Sequence, residues 1–386
     1  MTTTEDSLLK FEIPEIIYGQ GAMSQVAICA RRLGGENILL VTDPGIGDAG
    51  WVDKTITYFK QESLQYTVFD NVVTNPRAFQ VEQGTQLYNQ KNCDVIVALG
   101  GGSPMDTAKG IAILVSNHGR IQDYVGCNLI TQPIPPLICV PTTAGTGSDV
   151  SQFAVIADPQ KKVKMTILSR AIMADISLID PNLLVTKSAE LIAATGMDAL
   201  THAIEAYVSS LSWPLTNPHA IHAIELVFKH LVNAARTKDM QALEGMAIAS
   251  LEAGIAFSNA ILGAVHALAH PLGGIYDLHH GLANAILLPV VVRENMAHAP
   301  AKFAKIANAM GAETRGVPYA EAAACVPQKI EQLISDLGLP RCLSQVGVQE
   351  TDIPLMAQQA SQDLCMLTNP HCYLAEEIES MYAEAI

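Results

Sequence analysis

A doubly wound α/β half followed by an all-α half is the architecture that this sequence predicts, on three observations. Short Val/Ile/Leu-rich runs alternate with helix-like stretches through the first half, the texture of a parallel sheet covered on both faces. Glycine clusters follow two of those runs directly, where strand gives way to helix. From Ser188 onward the runs stop, and Ala, Leu and Met recur at helical spacing. The boundary is placed near residue 185. That gives a Rossmann-like α/β domain over 1–185 and a helical domain over 186–386.

The elements follow in order. Leu9–Tyr18 alternates loosely through Phe11, Ile13, Ile16 and Tyr18 and reads as an edge strand or hairpin. Ala22–Leu33, Trp51–Gln61, Ala78–Gln90 and Met105–Val115 carry helical patterns. Ile38–Asp43, Gln65–Asp70, Asp94–Leu99 and Leu137–Val140 are apolar runs of strand length. Phe153–Ala157 and Lys162–Leu168 bracket Asp158-Pro159-Gln160, a hairpin signal, and Ile176–Ile179 is a last strand before Asp180-Pro181. In the second half Pro218–Ala235, Met240–Asn259, Pro300–Met310 and Pro318–Leu337 read as helices. Asn217 is placed to cap the first of these, with Pro218 at its first position.

Composition narrows the function. Hydrophobic residues make up 49% of 386 residues and charged ones 16%, which supports large cores and argues against disorder. The net charge is −15, with no basic run, so nucleic acid and anionic membrane surfaces are poor partners. The apolar run Ala285–Val292 is too short to span a bilayer and contains Pro289. The start, Met1 to Asp6, has neither a basic n-region nor an apolar h-region, so no signal peptide is expected. Eight scattered cysteines without a CxxC pair read as free thiols in a reducing, cytoplasmic compartment.

Two glycine loops compete as nucleotide sites. Gly45-Ile-Gly47-Asp-Ala-Gly50 formally fits G-x-G-x-x-G, with Asp70 twenty residues on, but Asp43-Pro44 would set an acid against a pyrophosphate. Gly100-Gly101-Gly102-Ser103 removes three successive β-carbons at a helix start. Phosphate oxygens can then reach backbone N–H groups and the positive end of the helix, and Ser103 can cap that helix. Pro141–Ser148, rich in Gly and Thr, offers another close backbone approach. Asp43, at the end of a strand, would accept hydrogen bonds from a ribose 2′-hydroxyl and repel a 2′-phosphate, which selects NAD over NADP.

The second half holds the other chemistry. Between Met197 and His280 stand Asp198, His202, His266, His270, His279 and His280, in apolar surroundings. Asp198 and His202 are four apart, as are His266 and His270, so each pair shares a helix face. A carboxylate among Ala and Leu needs compensation when buried. Carboxylate and imidazole together suit divalent zinc or iron.

Four stretches now define a resemblance: Gly100-Gly-Gly-Ser-Pro-Met-Asp-Thr-Ala-Lys109, Pro141-Thr-Thr-Ala-Gly-Thr-Gly-Ser-Asp149, Gly196-Met-Asp-Ala-Leu-Thr-His-Ala-Ile-Glu-Ala-Tyr207, and His266-Ala-Leu-Ala-His-Pro-Leu-Gly273 through His280-Gly281. Long, in order and correctly spaced over nearly the whole chain, they resemble the iron-containing (group III) alcohol dehydrogenases. The resemblance implies that family's architecture, shared with dehydroquinate synthase, and a homodimer or larger homo-oligomer. It implies metal ligands at Asp198, His202, His266 and His280, and a proton relay at His270. It places the dinucleotide on Asp43, Asn75, Gly100, Gly101, Gly102, Ser103, Thr142, Thr143, Thr146 and Lys164. The pyrophosphate then belongs on Gly100–Ser103, and Gly45–Gly50 is a decoy or an adenosine-side wall. Phe153, Phe257 and Cys365 match substrate-pocket walls. The metal is expected to be Fe2+, with Zn2+ as the alternative, and the cofactor NAD. The expected reaction is hydride transfer between a small primary alcohol or diol and its aldehyde, of the lactaldehyde or 1,3-propanediol type.

Pro271 is expected to bend or end the helix after His270, and Glu205 to partner His202 or be solvated. Asp106 and Lys109 read as helix-start charges. His279 stands where the family usually has proline and receives no role. His118, His219, His222, His230, His298 and His371 read as core or surface residues. The competing class is a dehydroquinate synthase-like lyase using NAD and zinc, but few Lys or Arg lie near the ligand motifs to hold a phosphate-bearing substrate. A metal hydrolase would leave the glycine loop unexplained, and no G-x-S-x-G supports a serine hydrolase.

Overall fold

The computed structural model describes residues 9–386; the first eight, where no signal peptide is expected, lie outside the described residues. The α/β half runs β1 (Glu15–Tyr18), α1 (Val26–Arg32), β2 (Asn37–Val41), α2 (Pro44–Asp48), α3 (Trp51–Gln61), β3 (Gln65–Phe69), α4 (Ala78–Lys91), β4 (Val95–Gly100), α5 (Gly102–Asn117), β5 (Gly126–Cys127), β6 (Leu137–Pro141), β7 (Phe153–Asp158), β8 (Val163–Leu168) and β9 (Ile176–Ile179). Six of these strands form one parallel sheet in the order β1-β9-β6-β4-β2-β3. The alternation of buried side chains explains why each run is apolar throughout. Leu39, Val41, Ile96, Ala98, Leu137 and Cys139 pack with α4 and α5, while Ile38, Leu40, Val97, Leu99, Ile138 and Val140 pack with α1 and α3 on the other face. β7 and β8 form the antiparallel hairpin expected around Asp158, with β5 added alongside β8.

From β2 the chain steps outward to β3 and then back across β2 to β4. The strand order therefore reverses between β2 and β4, and a crevice opens at their carboxyl ends. Asp43 and the glycine loop sit there side by side. A β-carbon on Gly100 would lie 3.3 Å from Asp43 Oδ2.

After β9 every element is helical: α6 (Ala189–Val208), α7 (Asn217–Thr237), α8 (Met240–Ala260), α9 (Ala264–Tyr276), α10 (His280–Asn295), α11 (Pro300–Ala309), α12 (Tyr319–Ala323), α13 (Val326–Asp336), α14 (Ile353–Ser361) and α15 (Ala375–Ala385), with short 3-10 turns between some of them. Their core is continuous and rich in alanine. No single helix among the described residues is long and apolar enough to cross a membrane.

Several expectations need correction. The first strand is only β1; it is an edge strand of the sheet, as one of its two readings has it, and it pairs in parallel with β9, more than 150 residues away, rather than in a hairpin; alternation in one segment does not specify a distant partner. Pro318–Leu337 is two helices, because Pro327, lacking an N–H, opens α13 instead of continuing α12. Asn217 is the first helical residue of α7, and Thr216 holds the cap position. Gly101, not Ser103, is the cap residue of α5, so Ser103 lies in its first turn. Asp106 and Lys109 do more than begin α5. Lys109 is fully buried, and its Nζ donates to the carbonyls of Ser151 and Phe153, each at 2.7 Å. Asp106 accepts from Ser148 Oγ at 2.6 Å and from Val155 N at 3.1 Å. The pair fastens α5 to the Thr-rich loop and to β7.

Candidate metal and cofactor cleft

A cleft of about 670 Å³ lies between the two halves. Its outer part is formed by the sheet's carboxyl edge. Asp43 caps α2, accepting from Ile46 N at 3.2 Å, which explains why Gly45–Gly50 folds as a turn of helix instead of an open phosphate loop. Gly101 and Gly102 open α5 with no side-chain cap, leaving first-turn N–H groups available. Those glycines also let the next loop approach. Their β-carbons would meet Thr143 Oγ1 at 3.2 Å and Thr146 Cγ2 at 3.0 Å.

Of the positions expected to hold a dinucleotide, Asp43, Asn75, Gly101, Gly102, Ser103, Thr143, Thr146 and Lys164 line this cleft. Gly100 and Thr142 stand behind its wall, both buried, and Thr142 Oγ1 has no partner. Asn75 donates to Asp277 Oδ1 at 2.7 Å, and Arg77 pairs with Asp277 at 2.9 Å, so this loop is tied to the end of α9. Burial pulls the Lys164 ammonium down to about 8, against the opposing pull of Asp198, Asp106 and Asp277.

The inner end is built by α6, α9 and α10. α6 is capped by Ser188, whose side chain accepts from Leu191 N, and is buried almost all round. Asp198, His202 and Glu205 sit at i, i+4 and i+7 on one of its faces. Asp198 therefore stands mid-helix and caps nothing. The Nε2 atoms of His202, His266 and His280 lie 4.0, 3.9 and 3.9 Å from Asp198 Oδ1. The ligand atoms of Asp198, His202 and His266 lie close enough together to share one ion.

The histidine tautomers are set from outside. His202 Nδ1 lies 3.2 Å from the carbonyl of Gly145, and His202 stacks on Phe257 with ring centroids 4.4 Å apart. His266 Nδ1 donates to Glu205 Oε2. Glu205 is thus the partner of His266, not of His202 as expected from helical spacing. Its other oxygen accepts from Val265 N at 2.6 Å, so one carboxylate caps α9 and orients the imidazole. Gly263 permits this approach, since a β-carbon there would lie 3.0 Å from Glu205 Oε1. Burial first, then neighbouring His266, holds His202 neutral, down to about 4 although Asp198 opposes; burial likewise holds His280 well below its ordinary value. Neutral imidazoles with Nε2 lone pairs converging beside a carboxylate fit a divalent cation.

α9 does not stop at Pro271; it runs on to Tyr276. His270 therefore stays one turn from His266 and lines the cleft, its ring 5.6 Å from that of His280. Its Nδ1 donates to Asp363 Oδ2 at 2.7 Å, which leaves Nε2 free. Burial works against the Asp363 carboxylate, but His270 and the N–H of Cys365 hold it below its usual range. Phe153, Phe257, Cys365 and His279 also line the cleft.

Comparison with known proteins agrees with this layout. The family model described as iron-containing alcohol dehydrogenase matches residues 14–181, and that of the C-terminal part of the Fe-containing alcohol dehydrogenase family matches 192–386. The 1,3-propanediol dehydrogenase of Citrobacter freundii is 43% identical over 98% of this chain and 99% of its own. The chain belongs to the iron-containing alcohol dehydrogenase family. The NAD-dependent methanol dehydrogenase of Bacillus methanolicus is 37% identical over 97% of this chain and 98% of its own. The crystal structure of a 1,3-propanediol oxidoreductase superposes with a TM-score of 0.96 at 42% identity, over 98% of this chain and all of that one. This member of the iron-containing alcohol dehydrogenases is an oxidoreductase of alcohols and aldehydes, and the lyase alternative falls away.

Three residues of this alcohol dehydrogenase's site escaped sequence reading. Asp363 lies 93 residues from His270, and nothing local connects them. Gly281 allows α10 to touch α6. A β-carbon there would fall 2.2 Å from the carbonyl oxygen of Ala194. Asn284 is four residues after His280, a spacing that would have put it on the ligand face.

Proposed function

We propose that this enzyme interconverts a small primary alcohol or diol and its aldehyde with NAD(H), at an iron or zinc ion held by Asp198, His202, His266 and His280. The buried carboxylate and three imidazoles at the inner end of a glycine-rimmed cleft carry this reading. When bound, the ion supplies Lewis acidity toward the substrate oxygen and the nicotinamide supplies the hydride acceptor or donor.

The chain's own residues do the rest. Gly101, Gly102 and Ser103 receive the pyrophosphate at the start of α5, with Gly100 and Thr142 shaping the loops from behind. Asp43 takes the ribose hydroxyls, and Asn75, Thr143, Thr146 and Lys164 hold the remainder of the dinucleotide. The helical half (186–386) carries the ligands and the α/β half (1–185) the cofactor, so their junction aligns the reacting carbons. His270 accepts the alcohol proton at Nε2 while Asp363 steadies the imidazolium through Nδ1. Phe153, Phe257 and Cys365 exclude water and limit substrate size. A diol or hydroxyaldehyde is favoured within this class by likeness to the 1,3-propanediol dehydrogenase. All eight cysteines are unpaired, which supports a cytoplasmic location, and the protein works as a homodimer or larger homo-oligomer.

The test follows the near-ultraviolet absorbance of reduced nicotinamide with metal-loaded enzyme and a panel of short alcohols, diols and aldehydes, in both directions. NAD-linked turnover that disappears together with bound metal in His266→Ala is the expected result. Absence of turnover across the panel, or a fully metallated His266→Ala protein, rejects the reading.

A further inference from the structure

We propose that Asn284 is a positioning residue of the metal site, whose amide NH2 holds the Asp198 carboxylate, facing His266 and His280, in the arrangement that receives the ion. The inference rests on the ligand set proposed above.

Asn284 lies on α10, one turn after His280, and is fully buried. Its Nδ2 donates to Asp198 Oδ1 at 2.7 Å and lies 3.2 Å from His266 Nε2 and 3.3 Å from His280 Nε2. One group thus touches three of the four ligands. An amide NH2 offers two hydrogens and no lone pair, whereas all three atoms in front of it offer lone pairs. The His266 ring is fixed by Glu205 at Nδ1, which in the neutral tautomer leaves Nε2 as the ring's acceptor. Turning the amide over would set its carbonyl oxygen against a carboxylate and two imidazole lone pairs.

The far end of the amide shows that this orientation is imposed. Asn284 Oδ1 is buried and has no hydrogen-bond partner. An orphaned buried acceptor is destabilising, so the hydrogen bonds made by the NH2 must outweigh the cost of leaving this carbonyl without a donor. Here the lone pairs in front of the NH2 decide. The amide fixes the Asp198 carboxylate, whose Oδ1 keeps a second lone pair for the ion, and it stands in front of the two imidazole nitrogens, whose single lone pairs pass to the ion when it binds. The close seating of α10 on α6 at Gly281 sets the reach.

Two variants test this. Asn284→Leu keeps the volume and removes the donors; Asn284→Ala removes them with less risk to folding and carries the test if the first variant does not fold. Metal-loaded protein is titrated with a competing chelator, for Zn2+ in air and Fe2+ anaerobically. Far-ultraviolet circular dichroism checks the fold. Removing the donors should weaken metal binding about 10–100-fold. The visible absorption bands of the Co2+-substituted protein, which report ligand geometry, should also shift. A folded variant with parental affinity and parental Co2+ bands overturns the proposal. If the parent binds no metal, or Asp198→Ala leaves its affinity unchanged, the ligand set itself is wrong. Asp198-dependent binding that ignores Asn284 rejects only the role given to Asn284.

Discussion

At the scale of single residues, the site is organised by groups that hold other groups. His270 can move a proton only if its Nε2 is free, and Asp363 ensures this by taking Nδ1. His270→Ala should retain metal and cofactor but lose about 10²–10⁴-fold in turnover, the usual contribution of a placed acid–base group. Steady-state kinetics with metal analysis of the same sample checks this; normal turnover with an unchanged pH profile would end the relay idea. Lys164 gives a pH prediction. Its ammonium, pulled down to about 8 from an ordinary 10.5, is charged below about 8 and neutral above. Attraction for the anionic dinucleotide is therefore present on the acid side and lost as pH rises. The KM for NAD should climb above about pH 8 in the parent, while Lys164→Met should show a high KM with no such step. The stability sign is the reverse. Between about 8 and 10.5 the unfolded chain binds more protons at this lysine, so its burial penalty fades as pH increases.

Elements matter through how closely they approach. α6 carries two of the proposed ligands, α9 one and α10 one, and α10 approaches α6 at a small residue, Gly281. Gly281→Ala would drive a methyl group into the carbonyl oxygen of Ala194, at 2.2 Å, which backbone cannot accommodate without moving. α10 must then back away from α6, taking His280 with it. The expected loss is about 1–3 kcal/mol in unfolding free energy, as for other overpacked cores, together with a lower metal content. Denaturant midpoints and elemental analysis report the two effects separately, and a variant of parental stability would show that the helices adjust freely. α9 makes a related point. Proline inside a helix forfeits one hydrogen bond and crowds the preceding turn, yet α9 continues past Pro271, because burial of Val265, Leu268 and Leu272 on its core face outweighs that local cost.

For the whole molecule, the ion and the fold should be linked. The four proposed ligands come from three helices of the largest core, so an ion bound to the folded state alone stabilises everything that positions them. Free metal at about 100 times its dissociation constant should add about 2.7 kcal/mol. Thermal unfolding should therefore shift upward on adding Fe2+ or Zn2+ to stripped protein, and Asp198→Ala should abolish the shift. An unfolding temperature indifferent to metal in the parent would contradict a site at this place. The halves are also joined at the rim by Asn75 and Arg77, both bound to Asp277.

Much of this was written in short-range chemistry. The parallel sheet was legible because strands buried on both faces must be apolar throughout, and the helical half because its apolar residues recur at helical spacing. The glycine loop and the Asp198–His202 pair were legible because three missing β-carbons and an i,i+4 acid–imidazole pair are unusual in themselves. What the sequence could not reveal were partnerships across long separations. Glu205 faces His266, 61 residues on, rather than its helical neighbour His202. Asp363 orients His270, β1 lies on β9, and Lys109 serves the loop after β6. Gly100 and Thr142 fall behind the cleft wall although their neighbours line it. Each of these depends on how closely two surfaces pack and which way a side chain turns in the resulting space. By itself the sequence determined which chemical groups the protein owns and the local elements that carry them. Only the tertiary structure decided which of those groups meet, because buried hydrogen bonds are assigned by packing and not by order along the chain.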